Sequence, residues 1–235
     1  MKVAGAKIQG QTHRKNNKLC QDHIKYRTKN DTLFAALADG AGSRKYGGES
    51  AEIVVEIVDS YFKRKRKIYE KYENVSKDIE TLFENKLKEK HISKNEAGTT
   101  LLFVAVRGNR YIAGHVGDGV IIMKNNDGIR VLSEPENGRY VFETFFLPQE
   151  SNADHFRIYS GEIEEGDGFI LASDGIAEAI YRRSDKKIAG KAAEKLIKWI
   201  SSATKKEGEE ILENNLDKIL MDYSHDDKSI VVISI

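Results

Sequence analysis

The chain has 235 residues, of which 40% are hydrophobic and 32% charged, which is ordinary for a soluble globular protein and enough for a substantial core in one domain spanning residues 1–235. Its formal net charge is only +1, so neither nucleic acid nor an anionic membrane is expected as a partner. Apolar runs stop short of the roughly 20 residues a membrane span needs, the first residues lack a signal peptide's apolar stretch, and the lone Cys20 can form no intrachain disulfide, so a reducing, cytoplasmic location is expected.

In chain order, Asp22 to Lys29 and Thr32 to Ala38 read as strands around the polar turn Lys29-Asn30-Asp31. From Glu49 to Lys65, apolar residues at Ala51, Val54, Val55, Val58, Tyr61 and Phe62 give helical spacing with one buried face. A second helix carries Val75, Ile79, Leu82, Phe83 and Leu87, with Asn74 or Ser76 as N-cap. The middle is β-rich: Thr99 to Val106, Arg110 to His115, Val120 to Lys124 and Ile129 to Leu132, divided by the turns Arg107-Gly108-Asn109 and Asn125 to Gly128. Further strands are expected at Tyr140 to Phe146, Phe156 to Tyr159 and Gly168 to Ala172. Two amphipathic helices follow, one on Ile188, Ala192, Leu196, Trp199 and Ile200, the other on Ile211, Leu212, Leu216, Ile219 and Leu220, before a final strand from Ile230 to Ile235. Hairpins in the middle, with two helices before and two after, fit an α+β fold: a four-layer αββα sandwich of two antiparallel sheets flanked by pairs of helices.

Five Asp-Gly pairs occur, at Asp39, Asp118, Asp127, Asp167 and Asp174. Asp127-Gly128 and Asp167-Gly168 lie between polar residues and open strands, which is ordinary turn chemistry. Asp39 and Asp174 instead end uninterrupted apolar strands, where packing holds the backbone still and leaves the carboxylate facing outward. A third acidic cluster, His225-Asp226-Asp227-Lys228-Ser229, precedes the last strand. Carboxylates converging from distant segments suit a hard divalent cation, and two such ions about 3.5–4 Å apart can activate water against a phosphate. Zinc is not indicated, because Cys20 is alone and the six histidines lack ligand spacing. The chemistry read from these residues is phosphate hydrolysis with Mg²⁺ or Mn²⁺.

Several short motifs, in order along nearly the whole chain, resemble the metal-dependent serine/threonine protein phosphatases of the protein phosphatase 2C type. Cys20-Gln21-Asp22 is similar to the family's early acidic motif, and Ala38-Asp39-Gly40 to its central one. Gly98-Thr99-Thr100, Val116-Gly117-Asp118, Ala172-Ser173-Asp174-Gly175 and Asp226-Asp227-Lys228-Ser229 resemble the later motifs, the last standing where the family has Asp-Asn-x-Ser/Thr. Asp39 to Ser43 and Tyr140 to Leu147 look like a compact bacterial branch. The resemblance implies the same four-layer sandwich, with a dinuclear site between the sheets. It also implies hydrolysis of phosphoserine or phosphothreonine by a metal-bridging water, with Asp39 and Asp174 catalytic. Asp39 would bridge the metals, Asp22, Gly40, Asp174 and Asp226 would complete their ligands, and Asp118 would hold a third ion. The partners implied are a phosphoprotein substrate and a cognate serine/threonine kinase, and a monomer is expected.

Three departures accompany the resemblance. Ala41 stands where many eukaryotic members carry a histidine proposed as general acid, a contribution worth about 10²–10⁴-fold. Gln21 replaces a glutamate, and the phosphate-binding arginine is displaced, so that role falls to His13 or Arg14. Other tempting residues have plainer readings: Lys63 to Lys67 as a solvated helix end, Trp199 and His115 as core, His225 as a surface turn and Cys20 as a small hydrophobe, with oxidation of Cys20 the livelier alternative. Two rival functions remain, a pseudophosphatase that binds phosphoproteins without turnover and a metal-dependent phosphatase of a small metabolite.

Overall fold

A computed structural model describes residues 1–69, 72–137, 144–148, 155–218 and 224–235. Strands β1 (Lys2–Ile8), β2 (Asp22–Lys29), β3 (Thr32–Asp39), β4 (Leu101–Arg107), β5 (Arg110–Val116), β6 (Val120–Asn125), β7 (Gly128–Ser133), β8 (Arg157–Glu162), β9 (Gly168–Ala172) and β12 (Lys228–Ser234) build two five-stranded sheets. Tyr181–Arg182 and Lys187–Ile188 (β10 and β11) form a small hairpin. One sheet runs β2-β3-β4-β5-β8 and the other β1-β12-β9-β6-β7, with every pairing antiparallel. Helices α2 (Gly47–Arg64) and α3 (Val75–Glu89) cover the first sheet. Helices α5 (Gly190–Ser202) and α6 (Lys205–Lys218) cover the second, and α1 (Gln11–Lys15) and α4 (Asp174–Ile180) are short. The result is the expected four-layer αββα sandwich.

Alternation along the central strands explains why they read as unbroken apolar runs: both faces are buried. In β3, Leu33, Ala35 and Leu37 enter the core between the sheets, whereas Phe34, Ala36 and Ala38 face α2 and α3. In β9, Phe169 and Leu171 point inward while Ile170 and Ala172 pack under α4 and α5. Phe103 of β4 stands opposite Gly114 of β5, and its ring occupies the space a side chain there would need: a Cβ at Gly114 would lie 2.2 Å from Phe103 Cε1. Phe103 also touches Phe62 and Phe156, with ring centroids 5.3 and 6.4 Å apart, tying a sheet strand to α2.

The observed bounds differ from the sequence reading in instructive places. Neither β1, α1 nor the β10–β11 hairpin is in that reading: α1 has no buried residue, and β1 offers mainly small side chains. Asn74 is the N-cap of α3, but its side chain makes no capping bond. Residues 140–143 of the expected Tyr140 to Phe146 strand lie outside the described residues, as do Ile219 and Leu220, and Thr144 forms only an isolated bridge with Asn137. At the helix end, Lys63 pairs with Asp59 at 2.5 Å and Lys65 with Asp78 at 2.5 Å, as a solvated terminus would. No described helix is long and apolar enough to cross a membrane.

Candidate active site

The acidic residues gather at one end of the sandwich, where the two sheets meet. Asp22 opens β2 and Asp39 closes β3, and the antiparallel register sets them directly opposite each other. Two like charges in that position oppose folding unless something compensates them. From the other sheet, Asp174 follows β9 and begins α4, and Asp226 stands just before β12. Ser173 and Ser229 lock those two strand ends together, with Ser229 N–H donating to Ser173 Oγ at 2.9 Å and Ser173 N–H to the Ser229 carbonyl at 3.0 Å. Asp39, Gly40, Asp118, Asp174, Asp226 and His13 line a cleft of about 360 Å³, whereas Asp22 is fully buried behind Asp39 and does not reach its surface.

Backbone contacts make the strand tip rigid. The Asp39 N–H donates to Thr100 Oγ1 at 2.9 Å, and its carbonyl accepts from Thr99 Oγ1 at 2.9 Å and Thr100 N–H at 2.8 Å. That is the physical use of the Gly98-Thr99-Thr100 motif. Gly40 follows in a turn so close to the start of α2 that a Cβ would come within 2.4 Å of the Gly47 carbonyl carbon. Between Asp39 and α2 there is a loop rather than an immediate helix, whereas Asp174 runs straight into α4.

Electrostatics show what the cluster lacks. Burial, with the neighbouring Asp174 and Asp227 charges, pushes the Asp22 carboxyl up to about 7 despite a 2.5 Å hydrogen bond from Ser229 Oγ. Burial and the Asp118 and Asp226 charges raise Asp174 to about 6, and burial with Asp22 and Asp174 raises Asp39 well above the usual range. The Asp39 and Asp174 carboxyls are close enough that each shifts the other's ionisation. Asp22 Oδ1, Asp174 Oδ1 and Gln21 Oε1 are buried with no hydrogen-bond partner. Buried polar atoms are rarely left this way. An all-oxygen donor set with orphaned lone pairs and repelling charges fits hard divalent cations, which would supply the missing positive charge.

One residue missed by sequence reasoning organises the rim. Asp227, 3% exposed, accepts from Gly10 N–H at 2.7 Å, Gln21 N–H at 2.6 Å and His13 Nδ1 at 2.8 Å. Its signal was the second aspartate of Asp226-Asp227, standing where a family asparagine was expected. His13, Asp226 and Asp227 bring ligand atoms within 4.8 Å of one another. Both Asp227 oxygens are already committed to backbone donors, which makes it a brace rather than a free ligand. Of the two residues assigned to phosphate, His13 lines the cleft and the exposed Arg14 does not. Asp118 accepts from Thr144 Oγ1 at 2.5 Å, which ties it to the segment opposite.

The histidine and cysteine readings also resolve. His115 is fully buried against Ser133 Oγ at 2.7 Å, and burial with the Arg157 charge lowers its pKa, so it is a neutral core residue. Burial, reinforced by Asp22 and Asp227, pushes the Cys20 thiol up to about 12. A thiol pushed up in this way has little thiolate character, which favours the small-hydrophobe reading over oxidation.

A family model described as protein phosphatase 2C matches residues 9–221. The chain belongs to the protein phosphatase 2C family. Solved structures with the same fold include the catalytic domain of the serine/threonine phosphatase PstP with two manganese ions, at 15% identity and a TM-score of 0.69, covering 99% of this chain and 96% of that one. A serine/threonine phosphatase of S. agalactiae is 18% identical with a TM-score of 0.67, covering 99% and 98%. RsbX in complex with magnesium is 16% identical with a TM-score of 0.61, covering 99% and 94%. No curated protein sequence matches this chain. These protein phosphatase 2C structures share the fold at low identity, and two of them carry the class of ion the carboxylate cluster suits.

Proposed function

We propose that the chain hydrolyses phosphoserine and phosphothreonine in proteins, with two Mn²⁺ or Mg²⁺ ions held by Asp22, Asp39, Gly40, Asp174 and Asp226, and a third at Asp118. The observation that carries this reading is the cluster of Asp22, Asp39 and Asp174, whose buried, mutually repelling carboxyls leave two oxygens without partners. When bound, the ions lower the pKa of water and neutralise phosphoryl oxygens during in-line displacement.

The chain's own residues supply position and exclusion. Asp39 would hold an ion from a fixed strand tip, because Thr99 and Thr100 clamp its backbone. His13 donates Nδ1–H to Asp227, so its Nε2 would donate to a phosphoryl or leaving-group oxygen in the doubly protonated imidazolium form. Ala41 lines the same cleft and can give no proton, so His13 is the side chain placed for that work. Residues 1–235 act as one catalytic domain in the cytoplasm, as a monomer opposed by a serine/threonine kinase, and nucleic acid and membranes are not partners.

The test is phosphate release from a phosphothreonine peptide with Mn²⁺, with and without chelator, by wild type and Asp174→Asn. Mn²⁺-dependent release that falls at least a hundredfold in the variant is expected, since even outer-shell changes around a metal cost 10–100-fold. No peptide turnover by a wild type that binds Mn²⁺ tightly would sink the assignment in favour of a metabolite phosphatase or a phosphoprotein-binding module.

A further inference from the structure

Beside the catalytic cleft lies a second, larger hollow of about 1130 Å³, floored by the start of α2 and walled by the loop before β2. Lys18, Gln21 and Gly42 line both spaces, so the hollow opens into the cleft. Its cations are Lys7, Lys18, Arg44 and Lys45, and its carboxylates Glu49 and Glu52. Lys45 is paired with Glu96 at 3.6 Å, and Glu49 with Lys90 at 2.8 Å. Lys7 and Arg44 donate to the backbone carbonyls of Asp22 and Asn95, at 2.6 and 2.7 Å, which neutralises neither. Among the described residues, Lys7, Lys18 and Arg44 have no carboxylate within ion-pair distance, so three uncompensated cations face Glu52 alone.

The hollow also carries an apolar side chain. Leu19, between Lys18 and Cys20, is 86% exposed, far more than the other exposed large hydrophobics among the described residues. A single exposed leucine is ordinary on a protein surface, but here it stands beside unpaired positive charge. Single-stranded nucleic acid would want aromatic platforms to stack on, and no phenylalanine, tyrosine or tryptophan lines the hollow.

We infer that this hollow binds the peptide flanking the phosphorylated side chain and selects substrates with carboxylates beside phosphoserine or phosphothreonine and an apolar residue to seat on Leu19. This rests on the phosphatase reading above and adds its substrate class. Lys18 marks the junction, meeting the first flanking carboxylate as the phosphate enters the cleft, and Arg44 meets the next. Each exposed charge contact contributes a factor of a few at most, so the three cations together give about a tenfold preference, expressed mainly in KM.

The experiment compares three phosphothreonine peptides with Mn²⁺: acidic flanks with a leucine, acidic flanks with that leucine replaced by serine, and basic flanks. For wild type, kcat/KM is expected to favour the first peptide over the third about tenfold and over the second several-fold. The acidic preference should shrink as salt screens it. In Arg44→Glu the acidic-to-basic ratio should fall to about one or invert, with Arg44→Gln intermediate should the reversal unsettle the loop. In Leu19→Ser only the distinction between the first and second peptides should vanish. Equal turnover of all three by wild type would overturn the inference and leave the phosphatase standing, whereas turnover of none would fail the phosphatase itself. A preference that survives Arg44→Glu, or inhibition by a single-stranded oligonucleotide as strong as by the acidic peptide, would also overturn it.

Discussion

Replacing Asp22 by asparagine should make the chelator-treated protein more stable, and the gain can be worked from the site. Burial lifts the Asp22 carboxyl to about 7, from 3.8 for an ordinary aspartate. The difference is about 3 units, or about 4 kcal/mol at 1.36 kcal/mol per unit. Because the folded pKa lies above the unfolded one, the stabilising contribution is whole below about pH 4. Between about pH 4 and 7 the unfolded chain has released its proton while the folded chain still holds it, so each unit of rising pH removes up to about 1.4 kcal/mol. Above about pH 7 both states are ionised and nothing further is lost. From pH 5 to 8, about 2 of those units are crossed, so wild type should lose about 3 kcal/mol through this group. Asp22→Asn abolishes the titration and keeps an oxygen for Ser229 Oγ, now 2.5 Å from Asp22 Oδ2. Urea unfolding followed by circular dichroism, in chelator at pH 5 and pH 8, measures the difference. The variant's midpoint should fall by less than that of wild type across that interval, since Asp39 and Asp174 keep raised carboxyls in both, and excess Mn²⁺ should reverse the order by stabilising wild type more. Parallel pH profiles for the two proteins would refute the view that clustered carboxylates are held there against their own repulsion.

Two further substitutions test the supports of the site and of the core. Asp227→Ala strands the Gly10 and Gln21 N–H groups and frees His13, and should cost about 2–5 kcal/mol in thermal unfolding, with Asp227→Asn milder because it retains an acceptor. Phe103→Ala empties the space over Gly114 and should cost about 3–5 kcal/mol in urea unfolding, without changing Mn²⁺ affinity in calorimetry at low temperature.

How much was legible depends on how locally each feature is encoded. Strands buried on both faces announce themselves as apolar runs, so Leu33 to Ala38 and Phe169 to Ala172 were read with their terminal aspartates. Periodicity placed α2, α3, α5 and α6, but not every face. Leu82 of α3 is exposed, Ile188 lies in β11, and α5 buries Ala193, Ile197 and Ile200 rather than Ala192, with Trp199 only half-buried. The pairing of β1 with β12 could not be read this way, since Lys2 meets Ser234 from the far end of the chain and nothing local marks the match. Asp227 escaped for a subtler reason. A carboxylate that accepts backbone N–H groups and one that faces an open cleft are the same letter, and only the positions of Gly10 and Gln21 distinguish them. Leu19 was likewise silent, because exposure is a property of the folded surface.

The carboxylates come from both ends of the chain, and β12, just after Asp226, lies between β1 and β9 rather than at a sheet edge. Asp22 and Asp39 already face each other within the β2–β3 pair, but Asp226 joins them only when β12 lies between β1 and β9, so the full donor set waits on that strand. Ion affinity becomes a clock for that event: in refolding, fluorescence-detected Mn²⁺ uptake should lag the appearance of strand structure. A folding intermediate without β12 would offer the metal only part of its donors, however complete its first sheet.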